Sequence, residues 1–73
     1  MDDFVTRVLI EAQELSEKLN KLNLFMGSAK FPQLTRVEKD LLYEQQRAMS
    51  TYVQILGKRL EFYGIQFQHK EEK

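Results

Sequence analysis

Cysteine and tryptophan are missing from this 73-residue chain, histidine and proline occur once each, and eleven basic residues cancel eleven acidic ones. Without cysteine there is no disulfide, no thiolate nucleophile and no thiolate metal site. The one histidine, His69, lies near the C-terminus, which leaves Ser16, Ser28 and Ser50 without a plausible triad partner. No HExxH motif and no glycine-rich phosphate loop is present. Neither catalysis nor a cofactor or bound metal is therefore expected. Zero net charge removes the whole-molecule field that draws a protein to a DNA or RNA polymer or to an anionic membrane. No apolar run approaches the roughly 18 residues of a membrane span, and the acidic opening Met1-Asp2-Asp3 lacks the basic region of a signal peptide. The cysteine-free chain reads as cytoplasmic.

What is present is helical periodicity. Val5, Val8, Ala12, Leu15, Leu19, Leu22 and Met26 recur at alternating threes and fours, which sets them on one stripe of a helix over about residues 3–26. Asp2 or Asp3 is suited to cap its start, and Gly27 to end it in a left-handed conformation. Residues 27–34 hold the only proline and no sustained period, so they read as a loop. Pro32 disfavours a helical conformation at Phe31, and Phe31 and Leu34 are placed to plug the hairpin end. Thr35-Arg36-Val37-Glu38 is a capping box, and it opens a second helix over about residues 36–63. Leu42, Gln46, Met49, Val53, Leu56, Leu60 and Tyr63 form its seam, Gly64 stops it, and residues 65–73 read as a short tail. The expected fold is all-α: one domain, an antiparallel two-helix hairpin.

Such a hairpin is too small to be comfortable alone. A domain near this size buries only about 60% of the surface its unfolded chain exposes. With no disulfide or metal to add stability, oligomerisation is what remains. The faces agree. Beside its seam the second helix carries Leu41, Ala48, Tyr52, Ile55 and Phe62, and the first carries Phe4, Leu9, Ile10, Leu24 and Phe25. A monomer would expose them as the kind of patch that marks an interface. Gly57, in mid-helix, costs up to about 1 kcal/mol, which a close approach of backbone, side chain or ligand would explain; a merely tolerated glycine is the alternative.

Polar residues leave two readings open. Glu11, Glu14 and Glu17 could be a metal cluster, but Glu14 to Lys18 and Glu17 to Lys21 have the i,i+4 order of a solvated face. Arg7, Lys18, Asn20, Lys21, Gln45, Arg47 and Arg59 are mostly surface residues. In an oligomer, however, several copies of these few cations would meet at junctions where a compact dianion can be held by charge-assisted hydrogen bonds. An aromatic near the chain start, Phe4, offers a face for stacking a base.

A resemblance sharpens this. Arg7-Val8, Glu11, Leu15, Lys18, Leu22 and Phe25, then Phe31 and Leu34, then Leu41-Leu42, Gln45-Gln46, Met49, Tyr52, Leu56 and Arg59 form a pattern spanning about residues 4–60. It resembles the small phage proteins of the anti-CBASS cyclic-oligonucleotide sponge family. The resemblance implies a homohexamer of hairpins that sequesters, without cleaving, cyclic dinucleotides (such as cyclic GMP-AMP) and cyclic trinucleotides. It further implies a dinucleotide site using an N-terminal aromatic and a first-helix lysine, here Phe4 and Lys18 with Arg7 nearby. A trinucleotide site near a threefold axis would use Arg59, with Gly57 allowing close approach. Phe4 stands where a tyrosine is more typical. Structural readings of the same residues make Phe4 a hydrophobic cap, Lys18 the partner of Glu14, and Arg59 the partner of Glu61 or solvent. The alternative function is an oligomeric adaptor that binds another protein's helix through the spare face.

Overall fold

The computed structural model describes residues 3–67, and of Asp3 only the backbone. The proposed Asp2 or Asp3 cap, His69 and the last charged residues therefore lie outside the described side chains. Helix α1 spans Asp3–Met26 and helix α2 Arg36–Phe62, with one 3₁₀ turn, Phe31–Gln33, between them. There is no strand among the described residues. Three contacts across the seam fix the direction of the pair: Phe4 meets Tyr63 near one end, Tyr52 donates to Glu11, and Gln46 donates to Asn23 near the other. As the α1 partner advances, the α2 partner retreats, so the helices are antiparallel.

The seams are the ones their periodicity predicts. Val8, Ala12 and Leu19 of α1 and Val53, Leu56 and Leu60 of α2 are buried, and the remaining seam positions are half-buried except Tyr63, which lies past the helix end and is exposed. Leu56 and Leu60 are completely enclosed. Truncating either to alanine would cost about 2–5 kcal/mol, a large share of what so small a core can supply.

Both ends of the loop show how the chain turns. Gly27 is not left-handed: among the described residues a positive φ occurs only at Gly64. The Gly27 amide instead donates to the Asn23 and Leu24 carbonyl oxygens, each at 3.2 Å, and the Ser28 hydroxyl donates to the Phe25 carbonyl at 2.6 Å. The Ser28 amide, at 3.0 Å, donates to the same Phe25 carbonyl, so amide and hydroxyl together satisfy this terminal acceptor without a left-handed residue. Phe31 opens the 3₁₀ turn even though proline follows it, because a single turn needs only Pro32's fixed φ and not its missing amide. Its buried ring meets Phe25 and Tyr43 edge to face, with centroids 6.5 and 5.5 Å away, and so plugs the hairpin end. Thr35 and Glu38 form the expected capping box: the Glu38 amide donates to the Thr35 hydroxyl at 3.2 Å, and the Thr35 amide to the Glu38 carboxylate at 2.9 Å. Those donated hydrogen bonds, the backbone one first, hold the Glu38 carboxyl below its ordinary pKa.

At the other end α2 stops one residue earlier than Tyr63, which is its C-cap. Gly64, with φ of 82°, donates its amide to Glu61, and the Ile65 amide reaches back to the Leu60 carbonyl, both at 2.9 Å. This is a Schellman motif, and such motifs bring a hydrophobic residue back onto the helix they end. Ile65 and Phe67 accordingly pack on the cluster of Val8, Ala12, Leu56 and Leu60. The first residues of the expected tail are part of the core.

Candidate ligand-binding flank

Helical spacing divides the hairpin into two flanks. Phe4, Arg7, Glu11 and Lys18 are separated by three, four and seven residues, so they share one stripe of α1, beside the seam. Tyr52, Arg59 and Tyr63 share the matching stripe of α2 by the same rule. The antiparallel register lays the two stripes side by side. Phe4 packs edge to face on Tyr63 with centroids 6.0 Å apart, and the Arg59 guanidinium lies over the Phe4 ring, 5.5 Å from its centroid. That cation–π contact is worth about 0.5–1 kcal/mol at an exposed site. Next along the flank the Tyr52 hydroxyl donates to the Glu11 carboxylate, which raises the Tyr52 pKa; Arg59 acts in the opposite sense.

The structure therefore brings together residues that the resemblance assigned to different ligands. Phe4, expected at the dinucleotide site, touches Arg59, expected at the trinucleotide site. Arg7 and Lys18 are exposed on the same stripe, and neither forms an ion pair with another described residue. Lys18 is thus not held by Glu14. Glu11 is engaged by Tyr52, and no three described His, Asp or Glu side chains converge as metal ligands would.

Gly57 is the member set apart. Two residues along a helix turn through about 200°, so Gly57 points away from Arg59 toward the other flank. A Cβ there would meet the Phe67 carbonyl oxygen at 3.8 Å, an ordinary contact. Among the described residues of the hairpin no approach close enough to require glycine is present: what lies nearest is the chain's own returning tail, at a distance alanine tolerates. Because alanine fits, Gly57→Ala should stabilise the ligand-free protein by up to about 1 kcal/mol. A thermal melt should then show a rise of several degrees, about 4–8 °C per kcal/mol for a domain of this size. A fall in the melting temperature would mean that something other than Phe67 approaches this glycine.

That second flank carries a groove of about 480 Å³, lined by Asn23, Tyr43, Gln46, Arg47, Ser50 and Gln54 among others. Sequence reasoning singled out Arg47 and set Gln46 on the seam, but did not name Asn23 or Gln54. The asparagines Asn20 and Asn23 repeat at three residues beside the seam, which is the signal that marks this side as polar.

Comparison with known proteins identifies the family to which the chain belongs. The family model described as Sequestin matches residues 2–62, most of the chain. The chain belongs to the Sequestin family. Sequestin is the name of the anti-CBASS sponge family that the helical spacing resembles, a family of binding and sequestering proteins. A relative in Enterobacteria phage T4, the uncharacterized 7.5 kDa protein in the denB-rIIB intergenic region, is 39% identical over 57 residues. The match covers 78% of this chain and 89% of that protein. No solved structure matches. The Sequestin match takes in both helices, and with them Phe4, Arg7, Lys18, Gly57 and Arg59. Among the described residues no helix is long and apolar enough to cross a membrane.

Proposed function

We propose that this protein is a phage anti-defence sponge. It acts in the cytoplasm of the infected bacterium, where it binds cyclic di- and trinucleotide messengers as a homo-oligomer, a hexamer by its resemblance, and keeps them from the CBASS effectors they activate. The observation that carries this reading is the aromatic-cationic flank in a chain of this family: the Phe4 ring under Arg59, with Lys18 and Arg7 exposed along the same stripe. A flat base needs a ring to stack on. Its phosphates need cations that are not already committed to carboxylates, and among the described side chains Lys18 and Arg7 form no ion pair. Oligomerisation multiplies these few charges around one ligand, which explains how a chain of zero net charge can hold a dianion.

Sequestration leaves the ligand whole. Calorimetry with cyclic GMP-AMP should show saturable binding, and proteolysis of the complex should release the cyclic dinucleotide unchanged by chromatography. Recovery of linear or hydrolysed product from pure protein would replace the sponge with an enzyme. Absence of any heat or displacement with both ligand classes would favour the adaptor.

A further inference from the structure

Tyr63 joins the aromatic-cationic flank from a position unlike those of its other members. It is the C-cap residue of α2 and lies just beyond residues 2–62, the segment that the Sequestin model matches. Two anchors hold it there. Its amide donates to the Leu60 carbonyl at 2.9 Å, and the positive φ of Gly64 then returns the Ile65 amide to the same carbonyl, with Ile65 packed on the core cluster. Between these anchors the Tyr63 ring is 43% exposed and stands at 81° to the ring of Phe4. The two rings form a corner, in which a flat base stacked on Phe4 turns an edge toward Tyr63. The Tyr63 hydroxyl has no hydrogen bond to a described residue, whereas that of Tyr52 is taken by Glu11.

We propose that Tyr63 determines base specificity at this site, its hydroxyl hydrogen-bonding the edge of the base that stacks on Phe4. The proposal rests on the ligand class put forward above and names a further residue of the same site. The chemistry of the flank singles Tyr63 out. Arg7, Lys18 and Arg59 carry donors only, and their charge suits phosphates, which do not differ from one cyclic nucleotide to another. Phe4 stacks on any base, because every base has a π face. The Glu11 carboxylate is an acceptor that Tyr52 already meets. A neutral phenol both donates and accepts. Base edges are where purines differ: guanine offers two acceptors, N7 and O6, where adenine offers the N7 acceptor and the N6 donor. Placement counts as well. A ring held between a helix end and an anchored turn has little freedom left to lose on binding. A residue that only propped the Phe4 ring would need no hydroxyl.

Tyr63→Phe is the test, because it keeps the ring contacts and removes one oxygen. Its melting temperature should match that of the unsubstituted protein. Calorimetry with cyclic di-GMP and cyclic di-AMP, by displacement where one of them binds weakly, compares the two bases on the same phosphodiester ring. The substitution should change the ratio of the two affinities by about three- to tenfold, the worth of one neutral hydrogen bond made to one base and not to the other. An unchanged ratio overturns the proposal. Equal losses would put the hydroxyl on the phosphodiester that both ligands share, and unaltered affinities would leave Tyr63 as a prop for Phe4. A clear fall in the melting temperature would overturn it too, by giving the hydroxyl a partner within the protein. If the unsubstituted protein binds neither ligand, the sponge reading itself fails and the role of Tyr63 falls with it.

Discussion

Ile55→Glu should reduce the oligomer to single hairpins at micromolar concentration, with helical content unchanged. Ile55 makes no part of the core cluster in its own hairpin and is about half exposed there, so glutamate keeps its water when the chain is alone. In the assembly the same carboxylate would be desolvated against an apolar surface of a neighbour, with only Lys58 and Arg59 of its own helix, three and four residues on, to offset it in part. Removing an uncompensated charge from water costs several kcal/mol, and each 1.4 kcal/mol is a tenfold change in a dissociation constant. The interface should therefore weaken by a hundredfold or more. Leu56→Ala serves as the contrasting variant: that side chain is fully enclosed within one hairpin, so its loss should lower helicity and melting temperature together. Light scattering beside circular dichroism distinguishes the two. An unsubstituted chain that is already a folded monomer would remove the reason for the spare apolar face.

Much of this fold is legible in the order of residues because a two-helix hairpin has little tertiary freedom. The seams follow from one period, and Thr35 and Glu38 fix the start of α2 by reciprocal hydrogen bonds that need no distant partner. Segments governed by a single turn are less legible. Gly27 looks like a left-handed cap, but it has no positive φ, and the terminal Phe25 carbonyl is met instead by the amide and hydroxyl of Ser28, a local contact that periodicity does not register. Ile65 and Phe67 follow a helix stop, where periodicity has ended and only the Schellman turn at Gly64 directs them back to the core. The candidate site shows the same division. Phe4, Arg7 and Lys18 share a stripe by spacing alone, whereas the meeting of Phe4 with Arg59 depends on the antiparallel register, which the loop length sets.

That meeting decides what to expect of the two ligand classes. Phe4→Ala removes the stacking face, worth about 1–3 kcal/mol per base by alanine substitution, and so should weaken cyclic dinucleotides by about ten- to a hundredfold. Lys18→Ala removes an exposed cation that forms no ion pair with a described residue, and should weaken the same ligands through charge. Arg59 has a different role. A cyclic trinucleotide carries three phosphates, which three symmetry-related arginines can meet with charge-assisted hydrogen bonds, so Arg59→Ala should abolish its binding. The arginine also covers the Phe4 ring at 5.5 Å, yet that contact is worth only about 0.5–1 kcal/mol. Losing it should change dinucleotide affinity by no more than a few-fold. Calorimetry of the three variants against both ligands reads the outcome, with light scattering to confirm that each remains assembled. Separate losses, Phe4 and Lys18 for dinucleotides and Arg59 for trinucleotides, fit two sites that meet at one ring. Equal losses of both ligands in every assembled variant would mean a single shared pocket along this flank, and the assignment of Arg59 to a trinucleotide site would have to be given up.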